Sequence, residues 1–173
     1  MRFQMYTSDF FTVRPLTADD ADEMFRLFGT NPYYFSCEQD HPVTRAETAA
    51  VLTDLPPGRT RADKHVIGFF EHDRLAALMD YIDGYPDPSC LFIGLFMVDG
   101  GRRRQGLGRK LIAEFLSRAA GQGYGRVRLG CIAENRESFP FWSAIGFREV
   151  SRTVTRAEGR RDWNIIVMER PLP

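Results

Sequence analysis

The residues best suited to chemistry form a basic, glycine-bearing turn, Arg103-Arg104-Gln105-Gly106-Leu107-Gly108. The turn follows a continuous apolar run at residues 91–98 and precedes a helical apolar pattern at residues 107–119. The first N–H groups of a helix have no partner within the helix, and the helix dipole places positive charge there. Gly106 and Gly108 carry no Cβ that would keep an anion away from the main chain. The turn therefore predicts a diphosphate site at a helix N-terminus.

Basic side chains add positive charge to this turn. They are Arg102, Arg103, Arg104, Arg109 and Lys110.

Two other phosphate-binding motifs fit this turn less well. A P-loop needs lysine directly after its second glycine, where the chain has Leu107, and a dinucleotide-binding motif needs glycine at the position of Leu111.

The elements before the turn follow from residue spacing and turn formers. Residues 11–13 resemble a short strand, and a first helix follows the N-cap Thr17. Residues 29–43 are rich in turn formers and aromatics, which predicts an irregular segment. A capping box at residues 44–47 predicts a second helix that runs toward Leu55.

The apolar segments that come next along the chain predict a central sheet. Residues 65–71 and 75–82 form a hairpin. Residues 90–98 are apolar at nearly every position, which is typical of a strand buried on both faces, and Gly94 marks a bulge or a point where strands part. The remaining elements are a helix at 107–119, a strand at 126–131, a helix at 135–145, and a hairpin at 147–154 and 163–168 around a polar loop at 156–162.

This order of elements predicts an α/β fold of mixed character. We expect a central, mostly antiparallel twisted sheet of about six to seven strands with helices on both faces. Of the 173 residues, 43% are hydrophobic and 13% aromatic, which predicts one domain spanning residues 1–173. Basic and acidic residues both number 23, so the overall charge gives no reason to expect nucleic acid or a membrane surface as a partner.

The cysteines favour a reducing compartment. Cys37, Cys90 and Cys131 are an odd number at wide spacing, which argues against a disulfide framework or a zinc site. Cys90 and Cys131 fall in apolar runs and are expected in the core. No apolar run approaches the roughly 18 residues of a membrane-spanning helix, and residues 1–11 lack the pattern of a leader. We therefore expect a cytoplasmic protein without a metal site.

Two spaced signatures carry a family resemblance. The first, [RQ]-x-x-G-x-[GA], is matched by Arg103, Gly106 and Gly108, with Val98 five residues earlier at the end of the preceding strand. The second, N-x-x-[AS]-x-x-F-Y-x-x-x-G-F, is matched by Asn135, Ser138, Phe141, Gly146 and Phe147, with Trp142 where the pattern has tyrosine. With both signatures on the expected elements, nearly the whole chain resembles the GNAT superfamily of acyl-CoA N-acyltransferases.

The resemblance implies acetyl-CoA as co-substrate, bound by the turn and by the end of the preceding strand. In this family the strand pairs with the pantetheine arm through its main chain, like an added strand. Asn135 corresponds to the family's asparagine that meets the CoA arm, and a plain helix N-cap is the alternative. The implied cofactor-binding residues are Phe96, Met97, Val98, Arg103, Arg104, Gln105, Gly106, Leu107, Gly108, Arg109, Asn135, Ser138, Phe141 and Trp142.

The catalytic acid and base stay open. Relatives with tyrosine at the position of Trp142 use the phenol to protonate the departing sulfur, and an indole N–H is no useful acid. Either a thiol with a pKa of about 8.5 leaves as an anion unaided, or another residue substitutes, with Tyr81 and Tyr85 as candidates. Asp80 is a candidate base, and water is the alternative.

The acceptor site is expected at residues 29–43, which by resemblance would overhang it. Tyr33, Tyr34, Glu38 and Asp40 suit a cationic amine, and a packed surface loop is the alternative.

The predicted function is direct acetyl transfer from acetyl-CoA to a primary amine of a small molecule or peptide. Direct transfer is preferred over an acyl-cysteine because no cysteine falls in either signature. We expect a monomer or homodimer that binds neither nucleic acid nor membrane. The alternative is a non-catalytic acyl-CoA-binding or sensing module.

Overall fold

One seven-stranded sheet forms the centre of the protein in a computed structural model that describes residue 8, residues 10–156 and residues 162–173. The strands are β1 (Thr12–Pro15), β2 (Lys64–Glu71), β3 (Arg74–Asp83), β4 (Cys90–Val98), β5 (Arg126–Ile132), β6 (Arg148–Thr155) and β7 (Trp163–Pro171). Most of the predicted polar loop at 156–162, and of the segment at 1–11, lies outside the described residues.

The strand order is β1-β2-β3-β4-β5-β7-β6. β4 and β5 pair in parallel, and every other neighbouring pair is antiparallel. The predicted α/β class and the mixed, mostly antiparallel sheet are thus confirmed. The one parallel pair has a crossover helix between its strands, as parallel neighbours require.

Five α-helices are present in the described part of the chain: α1 (Ala21–Gly29), α2 (Pro32–Glu38), α3 (Arg45–Ala50), α4 (Leu107–Gly121) and α5 (Ser138–Ala144). Short 3₁₀ turns at Ala18–Asp20 and Gly100–Arg102 precede α1 and α4. The apolar stripe predicted for α4 is confirmed, because all six of its members are buried. This stripe packs α4 against one face of the sheet.

The prediction of an irregular segment at residues 29–43 was wrong, because it contains α2. Pro32 occupies the first turn of α2, where its missing N–H costs nothing. Phe35 is buried and packs at 5.2 Å from Phe28 of α1, measured between ring centroids. Tertiary packing therefore stabilises a short helix that the local pattern does not predict. The next helix is shorter than predicted, ending at Ala50 instead of approaching Leu55.

β4 is buried on both faces only in its first half, which corrects the prediction for the whole strand. β5 pairs with β4 only as far as Ile93 opposite Leu129. The register with β3 skips Gly94, so this glycine forms a bulge where the two parallel strands part. From Gly94 onward most of the strand is partly accessible, because no strand covers that edge.

The two faces of the sheet carry separate hydrophobic clusters. One cluster joins the sheet to α4 and α5 and includes Phe115 and Trp142. The other joins it to α1 and α2 and includes Phe28 and Phe35. The gap beyond Ile93 therefore lies between helices that pack on opposite faces of the sheet.

Candidate functional site

A cleft of about 580 Å³ occupies the gap where β4 and β5 part. Its walls come from α2, the second half of β4, the turn before α4, the end of β5, the start of α5 and the start of β7. Such a concave site, with apolar walls and polar groups at its ends, is typical of small-molecule binding.

The start of α4 presents main-chain donors to the cleft. Lys110 N–H makes the first helical hydrogen bond, to Gly106 O at 3.0 Å, so the N–H groups of Leu107, Gly108 and Arg109 have no acceptor within the helix. Gly106 has a φ of +80°, a left-handed conformation that favours glycine. This local geometry turns the chain sharply into α4 and points its positive end at the cleft.

Gly108 lies against the aromatic wall of the cleft. A Cβ at this position would lie 3.3 Å from Phe141 and 3.6 Å from Phe96. A side chain at this position would press on Phe141, so glycine keeps the space beside the helix N-terminus open.

Acidic residues neutralise part of the charge predicted for the turn. Arg103 forms an ion pair with Glu137, and Arg104 Nη2 lies 3.9 Å from the same carboxylate. Arg102 Nη1 pairs with Glu71 Oε2 at 2.6 Å. Glu137, which connects the turn to the start of α5, was not predicted as a site residue, because 34 residues separate it from Arg103. Because the arginines are partly neutralised, main-chain N–H groups contribute more to this anion site, and arginine side chains less, than the sequence predicts.

Asp99 stabilises the start of the turn through its carboxylate. Its carboxylate accepts hydrogen bonds from Gly101 N–H at 2.9 Å and from Arg26 Nη1 at 2.7 Å, and its side chain is 5% exposed. Burial raises the pKa of Asp99, but Arg26 and the Gly101 N–H outweigh burial and hold it below its usual value. Gly100 N–H donates to Thr30 Oγ1 at 2.8 Å. Asp99 and Thr30 therefore fix the path of the chain into the turn.

The open edge of β4 forms one wall of the cleft, at Phe96, Met97 and Val98. β5 has already parted from β4 at this point, so no strand pairs with that side of these residues. The Val98 carbonyl accepts a hydrogen bond from Asn31 Nδ2 at 3.0 Å. An extended ligand could pair with the edge as an added strand would.

Asn135 lies in the cleft and also organises the start of α5. Its Oδ1 accepts hydrogen bonds from the N–H groups of Glu137 at 3.1 Å and Ser138 at 3.2 Å. This capping geometry leaves the amide nitrogen as the group that can donate to a ligand. Asn135 can therefore cap the start of α5 through Oδ1 and contact a ligand through its amide nitrogen.

Trp142 belongs to an aromatic cluster beside the open edge of β4. Its ring lies 5.0 Å from Phe141, 5.2 Å from Phe147 and 6.1 Å from Phe96, measured between centroids. Trp142 is 7% exposed and lines the cleft. It forms an apolar wall and supplies no acid.

Tyr81 and Tyr85, the candidate acids, lie away from the cleft. Tyr81 is fully buried on the α4 face of the sheet, where it stacks on His65 at 4.9 Å. Tyr85 packs against Phe92 at 5.4 Å, near the other end of β4. Neither side chain is among the described residues that line the cleft.

Asp80, the candidate base, is held by a buried lysine. Lys64 Nζ donates to both carboxylate oxygens of Asp80 at 2.8 Å. Burial raises the pKa of Asp80, and Lys64 only partly offsets this effect. A Cβ on Gly94 would lie 2.8 Å from Asp80 Oδ2, so the carboxylate fills the space behind the bulge. Asp80 therefore lies behind the wall of the cleft and does not line it.

Two of the four predicted acceptor residues, Tyr34 and Glu38, line the cleft. Tyr33 instead accepts a hydrogen bond from Arg136 N–H at 3.1 Å through its hydroxyl, and Asp40 is exposed beyond the end of α2.

Two of the predicted cofactor-binding residues do not line the cleft. Gln105 donates to Gly101 O at 3.3 Å, and Leu107 belongs to the core.

Cys131 and Trp163 line the cleft although neither was predicted as a site residue. Trp163 Nε1 donates to the Glu38 carbonyl at 2.9 Å, which ties the end of α2 to β7. Cys131 and Cys90 are buried as predicted, and burial raises the pKa of each thiol to about 11. Because Trp163 is 125 residues from Glu38, only the folded chain brings them together.

Neither a metal centre nor a membrane span is evident in the described part of the chain. Within residues 10–156 and 162–173, no group of three or more histidine, cysteine, aspartate or glutamate side chains could hold a metal ion. Among the helices of these residues, none has the length and apolar character to cross a membrane.

Sequence comparison identifies one matching family. The model described as "Acetyltransferase (GNAT) family" matches residues 16–147, which include the turn, both signatures and most of the cleft. No curated protein sequence matches the chain.

Solved structures share the fold along nearly the whole chain. An acetyltransferase from Thermus thermophilus has a TM-score of 0.73 at 23% identity, covering 97% of this chain and 100% of that one. The ribosomal-protein-S18-alanine N-acetyltransferase of Escherichia coli has a TM-score of 0.63 at 18% identity, covering 93% of each chain. Ard1 from Thermoplasma volcanium has a TM-score of 0.66 at 20% identity, covering 94% of this chain and 97% of that one. At these identities, the likeness establishes the fold alone.

Proposed function

Because the chain belongs to the GNAT family of acetyltransferases, we propose that it is an acetyl-CoA-dependent N-acetyltransferase acting directly on a primary amine of a small molecule or peptide. The observation that carries this proposal is the meeting of two features in one cleft. The unpaired N–H groups at the start of α4 lie beside the open edge of β4. A ligand with a diphosphate at one end and an amide-bearing arm fits both.

The fit to acetyl-CoA is supported residue by residue. The N–H groups at residues 107–109 would receive the diphosphate, and Gly108 leaves room for it beside Phe141. The edge of β4 at residues 96–98 would pair with the pantetheine amides, and Asn135 Nδ2 would donate to the same arm. When bound, acetyl-CoA supplies the acetyl group as a reactive thioester.

The acceptor amine would enter from the α2 side. Tyr34 and Glu38 line the cleft there, and Trp163 lies close to the carbonyl end of α2. A carboxylate and aromatic rings in the same cleft favour a cationic amine over an anionic group. α4 and α5 pack on the other face of the sheet, so donor and acceptor would meet in the gap between β4 and β5.

Acetyl transfer here would proceed without a side-chain acid on Trp142 or an acyl-cysteine. A thiol with a pKa of about 8.5 leaves as an anion at little cost. Cys131 is the cysteine that lines the cleft, and its raised pKa, about 11, keeps it in the unreactive thiol form. Direct attack by the amine is therefore the simpler route.

The same proposal includes the setting of the enzyme. We infer a cytoplasmic monomer or homodimer that acts without metal, nucleic acid or membrane. The free thiols of the three cysteines suit a reducing compartment. The pairing of Arg102 and Arg103 with Glu71 and Glu137 leaves a weakly basic turn, which suits one diphosphate better than a nucleic-acid backbone.

Free-thiol release from acetyl-CoA tests the proposal. The protein is incubated with acetyl-CoA and a panel of simple amines, amino acids, polyamines, aminoglycosides and peptides, and the acetylated product is identified by mass spectrometry. We expect thiol release that depends on at least one amine, with one acetylated amine formed for each thiol. Tight acetyl-CoA binding without turnover on any amine would instead support the non-catalytic binding module.

A further inference from the structure

Asn31 lines the cleft at the junction of α1 and α2. It is only 6% exposed, and its side chain joins the end of α1 to the end of β4. Asn31 Nδ2 donates to the Val98 carbonyl at 3.0 Å, and the Leu27 carbonyl and Thr30 Oγ1 each lie 3.1 Å from the same nitrogen. The amide nitrogen of this buried side chain is therefore fully engaged by the protein.

The orientation of the Asn31 amide is set by these neighbours. The Leu27 and Val98 carbonyls can only accept hydrogen bonds, so the NH₂ group faces them and Oδ1 lies on the other side of the planar amide. Asn31 occupies the N-cap position of α2, where asparagine ordinarily accepts from the first N–H groups of its helix. Within the described part of the chain, however, the side chain makes no such capping bond, and its hydrogen bonds all use Nδ2. Oδ1 therefore keeps its capacity to accept a hydrogen bond from a ligand.

The main-chain groups of Val98 point toward the open edge of β4. Val98 lies opposite Ala77 of β3, and the next residue, Asp99, donates its N–H to the Ala76 carbonyl at 2.8 Å. Hydrogen-bonded and non-hydrogen-bonded pairs alternate along an antiparallel ladder, so Val98 and Ala77 form a non-hydrogen-bonded pair. The Val98 carbonyl therefore belongs to the edge that an added strand would use, and Asn31 already donates to it.

Asn31 thereby replaces the Val98 carbonyl as the acceptor at this end of the edge. Donation through Nδ2 polarises the amide group, which makes Oδ1 a better acceptor. Asn135 presents the complementary group to the same cleft, because its Oδ1 caps α5 and its Nδ2 is left to donate. A ligand arm that carries both hydrogen-bond donors and acceptors fits these two side chains.

We propose that Asn31 is a binding residue of the donor site, an assignment that rests on the proposed function: its Oδ1 accepts a hydrogen bond from the pantetheine arm of acetyl-CoA. Val98 is the last residue of β4 and precedes the turn that leads into α4, so Asn31 meets the half of the arm nearest the diphosphate. That half carries one hydroxyl and one amide N–H, and either group can donate to Oδ1. The distal amide, on the thioester side, lies farther back along the edge.

Calorimetric affinities for CoA and three analogues test the assignment. The first analogue lacks the hydroxyl of the arm, and the second has oxygen in place of the N–H of the amide nearest the diphosphate. The third carries that same replacement in the distal amide. The wild type should bind the first or the second analogue about threefold to tenfold more weakly than CoA, the range of one neutral hydrogen bond.

Asn31→Ala should remove this difference. The variant should bind CoA more weakly than the wild type does, but it should lose nothing further with the analogue that lacks the donor, because residue and ligand group form one hydrogen bond. The distal analogue should weaken binding to the wild type and to Asn31→Ala by the same factor. Asn31→Ser is the milder variant, since a serine hydroxyl can keep a hydrogen bond with the Leu27 carbonyl while the acceptor is withdrawn from the cleft.

Thr30→Ala is the matched control at the same junction. It removes Thr30 Oγ1, which contacts Asn31 Nδ2 and accepts from Gly100 N–H, and it leaves Asn31 Oδ1 in place. A general disturbance of the junction lowers the melting temperature and the affinity for CoA. Thr30→Ala should nevertheless keep the wild-type difference between CoA and the analogue.

The assignment would be overturned if neither of the first two analogues bound the wild type more weakly than CoA, a result that needs no variant. It would also be overturned if Asn31→Ala and the wild type lost equally with these analogues, if only the distal analogue depended on Asn31, or if Thr30→Ala removed the difference as completely as Asn31→Ala. A wild type that does not bind CoA would overturn the proposed function together with this assignment.

Discussion

Lys64 Nζ contacts both carboxylate oxygens of Asp80 at 2.8 Å, across the antiparallel pair β2 and β3. The Lys64 side chain is 3% exposed and that of Asp80 is 12% exposed, so the ion pair is buried. Because each charge has its partner behind the bulge at Gly94, we expect Asp80 to have a structural role behind the cleft wall.

Asp80→Asn should therefore reduce stability far more than activity. Removing one partner of a buried ion pair leaves the other charge unpaired, at a cost of about 3–5 kcal/mol in the free energy of unfolding. The turnover rate of the folded variant should change by less than about tenfold. Urea unfolding and thiol release measure the two effects. Lys64→Met with Asp80→Asn serves as control, because losing both charges should cost less than losing one. A much larger loss of rate at unchanged folding would restore Asp80 as the base.

Asp99→Asn should reduce stability in a pH-dependent way. The pKa of Asp99 is lower in the folded chain than its ordinary value of 3.8, despite its burial, because Arg26 and the Gly101 N–H favour the carboxylate. A carboxyl with a lowered folded pKa adds stability above its unfolded pKa, and this stability is lost as the pH falls through the folded pKa.

The wild type should exceed Asp99→Asn in unfolding free energy by about 1–3 kcal/mol at pH 7, with a difference that shrinks below about pH 3.8. Urea titrations at several pH values measure it. An equal difference at every pH would mean that the Asp99 charge has no part in holding the turn.

Trp142→Phe should leave catalysis almost intact. The indole is no useful acid, and phenylalanine keeps the aromatic contacts with Phe141 and Phe147. We expect kcat within about threefold of the wild type and a lower melting temperature from the lost volume. Thiol release and thermal unfolding measure these effects. A loss of kcat above about tenfold in a folded variant would show that the indole takes part in the reaction.

The parts of the fold that were predictable have strong local patterns. The α4 stripe follows a helical period, and β5 alternates between buried and partly buried residues, so both were located from the sequence. α2 was missed because Tyr33, Tyr34 and Phe35 have modest helix propensity, and the helix depends on the burial of Phe35 against Phe28. A proline at the first position, Pro32, was the one local sign of its start.

The donor end of the candidate site was more predictable than the acceptor end. The turn at 103–108 and Asn135 carry their chemistry in short motifs, and most of these residues line the cleft. Glu137, Cys131 and Trp163 contribute only because distant segments meet in the fold. The partners of Asp80 and Arg103 are likewise invisible to spacing, since they come from a neighbouring strand and from the start of α5.

Binding of acetyl-CoA at the start of α4 is the claim on which the donor site and the transfer reaction both depend. Isothermal titration calorimetry with acetyl-CoA tests it directly on the wild type and on Gly108→Glu. Gly108→Ala is the steric control, because it adds the same Cβ contact with Phe141 without a charge. Gly121→Glu is the charge control, because it makes the same change at the far end of the helix, where a Cβ meets no atom within 4 Å.

We predict that the wild type and Gly121→Glu bind acetyl-CoA alike, and that Gly108→Glu binds at least about tenfold more weakly than Gly108→Ala, a loss of roughly 1.4 kcal/mol or more. Equal affinities for the wild type and Gly108→Glu would contradict the placement of the diphosphate at this helix.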